Sequence, residues 1–128
     1  MISIIDIGST GGVEAPWEVN RNSVDWFLNF EPNEPSEIKD NWIKYDTAIW
    51  SEKGERPFYI YGPNGTGSSL LRQNYNWVAD NFKKIQHEGH VRYSSTWFER
   101  SVLTEEKIVN VDSIDNVLKK LKDENLGP

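Results

Sequence analysis

The sequence predicts an α/β fold: parallel strands with an added β-hairpin and a C-terminal helix. Three observations carry this. Residues 2–12, Ile-Ser-Ile-Ile-Asp-Ile-Gly-Ser-Thr-Gly-Gly, run from an apolar strand into a glycine turn. Val24 to Phe30 is a second apolar run, closed by Glu31-Pro32-Asn33. Towards the other end of the chain, Ile114, Val117, Leu118 and Leu121 mark one face of a helix.

Each element follows in order. Residues 2–7 read as a buried parallel strand, with Asp6, Gly8 and Gly12 spaced D-x-G-x-x-x-G at its carboxyl end. Only residues 13–23, with Pro16 among them, separate this turn from the second strand. A parallel crossover usually needs about a dozen residues or more, so the first helix is expected to be short or irregular. After Glu31, Pro32, Pro35 and Asp40-Asn41 leave room for about two helical turns at about 3.6 residues each. Residues 42–50, rich in aromatic and β-branched types, read as one third strand. Residues 51–55 form a turn, and Pro57 to Tyr61 a fourth strand, antiparallel to the third if the link is a hairpin.

Gly62 to Ser69 is a polar glycine loop, and helical periodicity then begins with Val78, Phe82 and Ile85. Residues 86–90 break that helix, and extended pieces are expected near 91–98 and 107–111. Asp112 or Ser113 can cap the last helix. Lys119, Lys120 and Lys122 suit its C-terminal end, and Gly127-Pro128 stops it.

Composition limits the function classes. The 128 residues fit a single domain with one core, and six Trp, five Tyr and five Phe exclude a disordered tail. A net charge of −6 with scattered basic residues argues against nucleic acid and against an anionic membrane surface. With no cysteine there is no disulfide, thiolate metal site or cysteine nucleophile. The N-terminus is expected to run straight into a strand, with no basic n-region or cleavage site, and no segment nears the roughly 20 apolar residues of a membrane span. A soluble, cytoplasmic protein is expected.

A strand, a glycine turn, a crossover and a second strand ending in an acid are the parts of a nucleoside-binding half-sheet. Glycine lets the backbone approach the ligand, and Glu31 can take two ribose hydroxyl hydrogens. Thr10 stands where the dinucleotide motif G-x-G-x-x-G requires glycine, and so short a crossover aims no firm helix N-terminus at a pyrophosphate. A ligand without phosphates fits better. The loop Gly62–Ser69 imitates a phosphate loop, but Ser68 replaces the lysine, so a plain glycine loop is expected. His87 and His90 lack a third ligand, and no metal site is expected there. Ser94 and Ser95 have no recognisable base, and no G-x-S-x-G elbow exists. The tryptophans are expected mostly in the core, with Trp17, which follows the glycine turn closely, as the exception.

Taken together, these residues resemble the FkbM family of S-adenosylmethionine-dependent methyltransferases. The matching stretches are residues 5–12 followed by Trp17, Asn29 to Asn33, Asp46 to Trp50 with Gly54, Gly67 to Leu71, and Val109 to Asp115. The resemblance implies a partial Rossmann-like methyltransferase fold, S-adenosylmethionine as cofactor, and O-methylation of a sugar or another small hydroxylated metabolite. Asp6, Gly8, Gly11 and Gly12 would face the methionine part of the cofactor, Glu31 the ribose hydroxyls, and the strand end near Asp46 to Ala48 would border the adenine. It nominates no catalytic base. Family members continue, after a helix like 113–126, with a strand carrying a Lys-Ile-Asp-x-x-Gly type segment. The expectation is therefore a truncated N-terminal portion, inactive alone, with a sheet edge open to self-association. The alternative is a noncatalytic binding or interaction fragment of the same fold.

Overall fold

The computed structural model describes residues 2–8, 10–12, 15–65, 67–87, 97 and 99–126. The fold is mixed α/β, with two sheets and little helix. The chain divides into two compact units, residues 1–56 with 109–128, and residues 57–108.

In the first unit, strands β1 (Ile2–Ile7), β2 (Val24–Phe30), β3 (Glu37–Lys39) and β4 (Trp42–Tyr45) form a sheet of order β1-β2-β4-β3. β1, β2 and β4 are mutually parallel, and β3 runs antiparallel to β4. Flanked on both sides, β2 is the most buried strand: Val24, Phe27, Leu28, Asn29 and Phe30 are all buried. Alternation sends Leu28 and Phe30 to one face and Phe27 and Asn29 to the other. On the first face, Leu28, Phe30 and Ile43 pack with Val117 and Leu121 of the helix Ile114–Asp123, which forms the main core with Trp26, Tyr45, Ile49 and Leu118 around it. Phe30 and Tyr45 stack there, with ring centroids 5.8 Å apart.

β1 corrects the sequence reading. It is an edge strand rather than a buried one, and Ile2, Ile5 and Ile7 are 50%, 43% and 54% exposed. The packed helix reaches Leu28 and Phe30 but leaves Ile5 and Ile7, their partners in the ladder, uncovered. The first crossover carries turns and a single 3-10 turn, Arg21–Ser23, with no α-helix among its described residues, as its length requires. The two helical turns expected after Glu31 are absent. β3 takes their place, closed on β4 by Asp40-Asn41, with Asp40 in the left-handed region at φ 51°.

Residues 42–50 are not one strand. β4 ends at Tyr45, and β5 (Thr47–Ile49) pairs in parallel with β7 (Leu103–Asp112) in the second sheet. That sheet has the order β5-β7-β6, with β6 spanning Gly54–Tyr61. The expected hairpin between the third and fourth strands is therefore overturned, because β7 lies between β5 and β6.

In the second unit, Phe58, Tyr61 and Val78 are buried. Helix α1 spans Tyr75–His87, where Val78 and Phe82 were expected; the side chain of Ile85 lies outside the described residues. Trp77 meets Phe82 edge-on at 6.4 Å, yet stays exposed. The extended piece expected near 91–98 also lies outside the described residues, apart from Trp97, which is helical.

The final helix, α2 (Ile114–Asp123), follows its sequence signals closely. Ser113 is the N-cap, its Oγ accepting the Asn116 N–H at 3.2 Å. Asn125, at φ 53°, ends the helix, and the Leu126 N–H returns to the Leu121 carbonyl at 2.8 Å. Gly127 and Pro128, expected to stop it, lie outside the described residues. Among the described residues no helix is long and apolar enough to cross a membrane.

Candidate functional site

The carboxyl ends of β1 and β2 lie side by side. The Gly8 N–H donates to the Phe30 carbonyl at 2.8 Å, extending the ladder into the glycine turn. Gly8, Gly11 and Gly12 all adopt left-handed backbone, at φ 80°, 83° and 96°. Side chains rarely tolerate that region, which explains the residue type at each position. A Cβ at Gly12 would stand 3.4 Å from Trp42, so the turn lies against the sheet there.

Beside this turn stands Glu31. Its N–H continues the ladder to the Tyr45 carbonyl of β4 at 3.0 Å. Thr10 Oγ1 donates to Glu31 Oε2 at 2.8 Å, and the Asn33 N–H to Oε1 at 2.9 Å. The turn and the acid are thus joined directly. Glu31 is only 3% exposed, however, so its carboxylate is closed over rather than presented. Asp6 is half-buried on β1, opposite Asn29 of β2.

Two partners escape the sequence reading. The Gly11 N–H donates to Glu34 Oε1 at 2.7 Å, and Lys44 Nζ lies 2.9 Å from Glu34 Oε2. These contacts, the Gly11 amide first and the Lys44 ammonium second, hold the Glu34 carboxyl below its ordinary value of 4.5. A signal for Glu34 existed. Glu31-Pro32-Asn33-Glu34 is a turn closed by the Glu34 N–H on the Glu31 carbonyl at 3.2 Å. Proline at its second position favours such a turn, which returns both acids to the same edge.

Asp46 follows the carboxyl end of β4 but does not join this cluster. Its Oδ1 accepts from Ser36 Oγ at 2.8 Å, and its N–H donates to that oxygen at 3.0 Å. It lines a cavity of about 670 Å³ with Tyr45, Lys53, Asp112 and Lys120. Burial, with the Glu124 carboxylate nearby, pushes the Tyr45 hydroxyl above its usual range. A separate cavity of about 220 Å³ adjoins the glycine turn, lined by Gly11, Glu18, Arg21, Phe27 and Trp42. That is below the roughly 300 Å³ at which small-molecule sites begin. Trp17 is exposed on the crossover.

Among its described residues the loop Gly62–Ser69 lacks phosphate-loop geometry. Tyr59 and Ser69 pair back on each other, at 2.9 and 3.0 Å, and helix α1 starts only at Tyr75. The loop amides are therefore not gathered at a helix N-terminus. His90, Ser94 and Ser95 lie outside the described residues, as does the side chain of His87. Among the described residues no group of three His, Asp or Glu side chains converges on a metal position.

Comparison with protein-family models, with curated proteins and with solved structures finds no match for this chain.

Proposed function

We propose that the glycine turn and Glu31 form the donor-binding half-site of an S-adenosylmethionine-dependent methyltransferase. Its sheet would be a Rossmann-like half-sheet, and its acceptor an oxygen of a small hydroxylated molecule. One observation carries this reading: Glu31 and the turn Gly8–Gly12 meet at the carboxyl ends of adjacent parallel strands, joined through Thr10 at 2.8 Å. Ligands of open α/β sheets bind at that edge.

When bound, the cofactor supplies a methyl group on a sulfonium. The residues of this chain would hold it. The Glu31 carboxylate has lone pairs for two ribose hydroxyls, provided the exposed Thr10 hydroxyl swings away. Left-handed glycines keep side chains off the approach, and nothing lies within 4 Å of a Cβ built at Gly8 or Gly11. Holding donor and acceptor in line supplies most of the rate in such a displacement.

Calorimetric titration with S-adenosylmethionine tests the reading. Weak but saturable binding is expected, reduced about tenfold or more in Glu31→Gln, the scale of a lost hydrogen bond to a charged group. Absence of binding, or binding indifferent to Glu31→Gln, would remove the reading. The burial of Glu31 favours a second one, a noncatalytic binding module on the same half-sheet. Methyl transfer from labelled cofactor to a hydroxylated acceptor would exclude this second reading.

A further inference from the structure

The Gly11 amide and the Lys44 ammonium converge on the two oxygens of one carboxylate, that of Glu34, at 2.7 and 2.9 Å. We propose that these two donors form a receptor for a ligand carboxylate, and that Glu34 occupies it as a built-in competitor. The inference deepens the reading above and rests on the glycine turn facing a ligand.

Three features support it. First, the donors belong to fixed parts of the fold. Gly11 sits in a turn whose Gly8 N–H is tied to the Phe30 carbonyl, and Lys44 projects from β4 with its side chain only 12% exposed. An amide and an ammonium gripping opposite oxygens of one carboxylate are a charge-assisted pair, stronger and more directional than a surface ion pair. Second, the competitor is on a movable part. Glu34 closes a four-residue turn and belongs to no strand, so its carboxylate can leave without breaking a ladder. Third, there is room above the donor: nothing lies within 4 Å of a Cβ built at Gly11, and the cavity of about 220 Å³ begins there. Phe27 and Trp42 line it with aromatic surface. A ligand carboxylate entering this receptor takes over both hydrogen bonds and releases Glu34 to water.

The test compares the full chain with Glu34→Ala, Glu34→Gln and the double variant Glu34→Ala with Lys44→Met. Two probes share the adenosyl sulfur and differ in the amino-acid end: S-adenosylhomocysteine carries a carboxylate and an ammonium, 5′-methylthioadenosine neither, and Lys44→Met with acetate isolates the carboxylate. Removing the competitor is expected to tighten S-adenosylhomocysteine about tenfold, the gain when a receptor was open about one-tenth of the time. Affinity for 5′-methylthioadenosine should stay unchanged, and Lys44→Met should cancel the gain. Sodium acetate, against sodium chloride at equal ionic strength, supplies the second readout. It should shift the Gly11 amide resonance saturably in Glu34→Ala and not in the double variant. Acetate binding without either adenosyl compound would uphold the receptor and end the methyltransferase reading. Equal affinities for both adenosyl compounds across all variants, or no acetate response in Glu34→Ala, would overturn the receptor.

Discussion

Gly62 holds a φ of 67°, and a Cβ there would stand 2.7 Å from the Arg100 Cα, so this position admits only glycine. Gly62→Ala is expected to destabilise the chain by at least about 1–2 kcal/mol from the left-handed backbone alone, more once the Arg100 backbone must yield. A denaturant midpoint measures it. Glu34 gives a pH-dependent counterpart. Its carboxyl is held below 4.5 by the Gly11 amide and then by Lys44, so its contribution is fully present above 4.5. That contribution is lost as pH falls through the lower folded value. The Gly11 amide resonance should therefore titrate with a midpoint below 4.5 and lose that step in Glu34→Gln. At this scale the order of strand, turn, strand and acid was legible in the sequence, and it brings the glycine turn and Glu31 to one sheet edge. Sequence reading missed Lys44, whose role arises from tertiary reach that spacing does not encode, and Glu34, whose one signal was the turn through Pro32.

Among the elements, α2 was the clearest in the sequence and the simplest in the structure. Its apolar face, its Ser113 cap and its basic last turn all agree with one conformation. Ser113→Ala should cost about 1 kcal/mol through the lost cap. Leu121→Ala should cost about 2–5 kcal/mol, because Leu121 is 2% exposed and sits in the core against the sheet. Thermal unfolding separates these two magnitudes. Residues 42–50 show the opposite case. Ile43, Tyr45 and Ile49 keep one alternating apolar pattern and all join the same core, although the chain changes sheets at Asp46. Side-chain alternation reports which face is buried and is blind to which strand supplies the hydrogen bonds. The crossover after Glu31 misled in a related way. Its prolines and Asp40-Asn41 fit a short helix between strands as well as a short strand with a two-residue turn, and only pairing with β4 decides.

Taken as a whole, the first sheet has two unlike edges. β3 is three residues long and carries Glu37 and Lys39, the usual protection of an outer strand. β1 has six residues, four of them isoleucine, and its one acid, Asp6, stands near the carboxyl end. Concentration-dependent self-association is expected from such an edge, and Ile5→Lys should reduce it in sedimentation velocity. The direction of the β1 backbone makes a sharper statement possible. Because the Gly8 N–H points at β2, alternation turns the amides of Ile4 and Asp6 inward as well, and those of Ser3, Ile5 and Ile7 outward. Proton exchange along one short strand should then read as an alternating code, slow at Ile4, Asp6 and Gly8 and fast at Ser3, Ile5 and Ile7. Any strand that docks there would slow the fast half and leave the other half as it was.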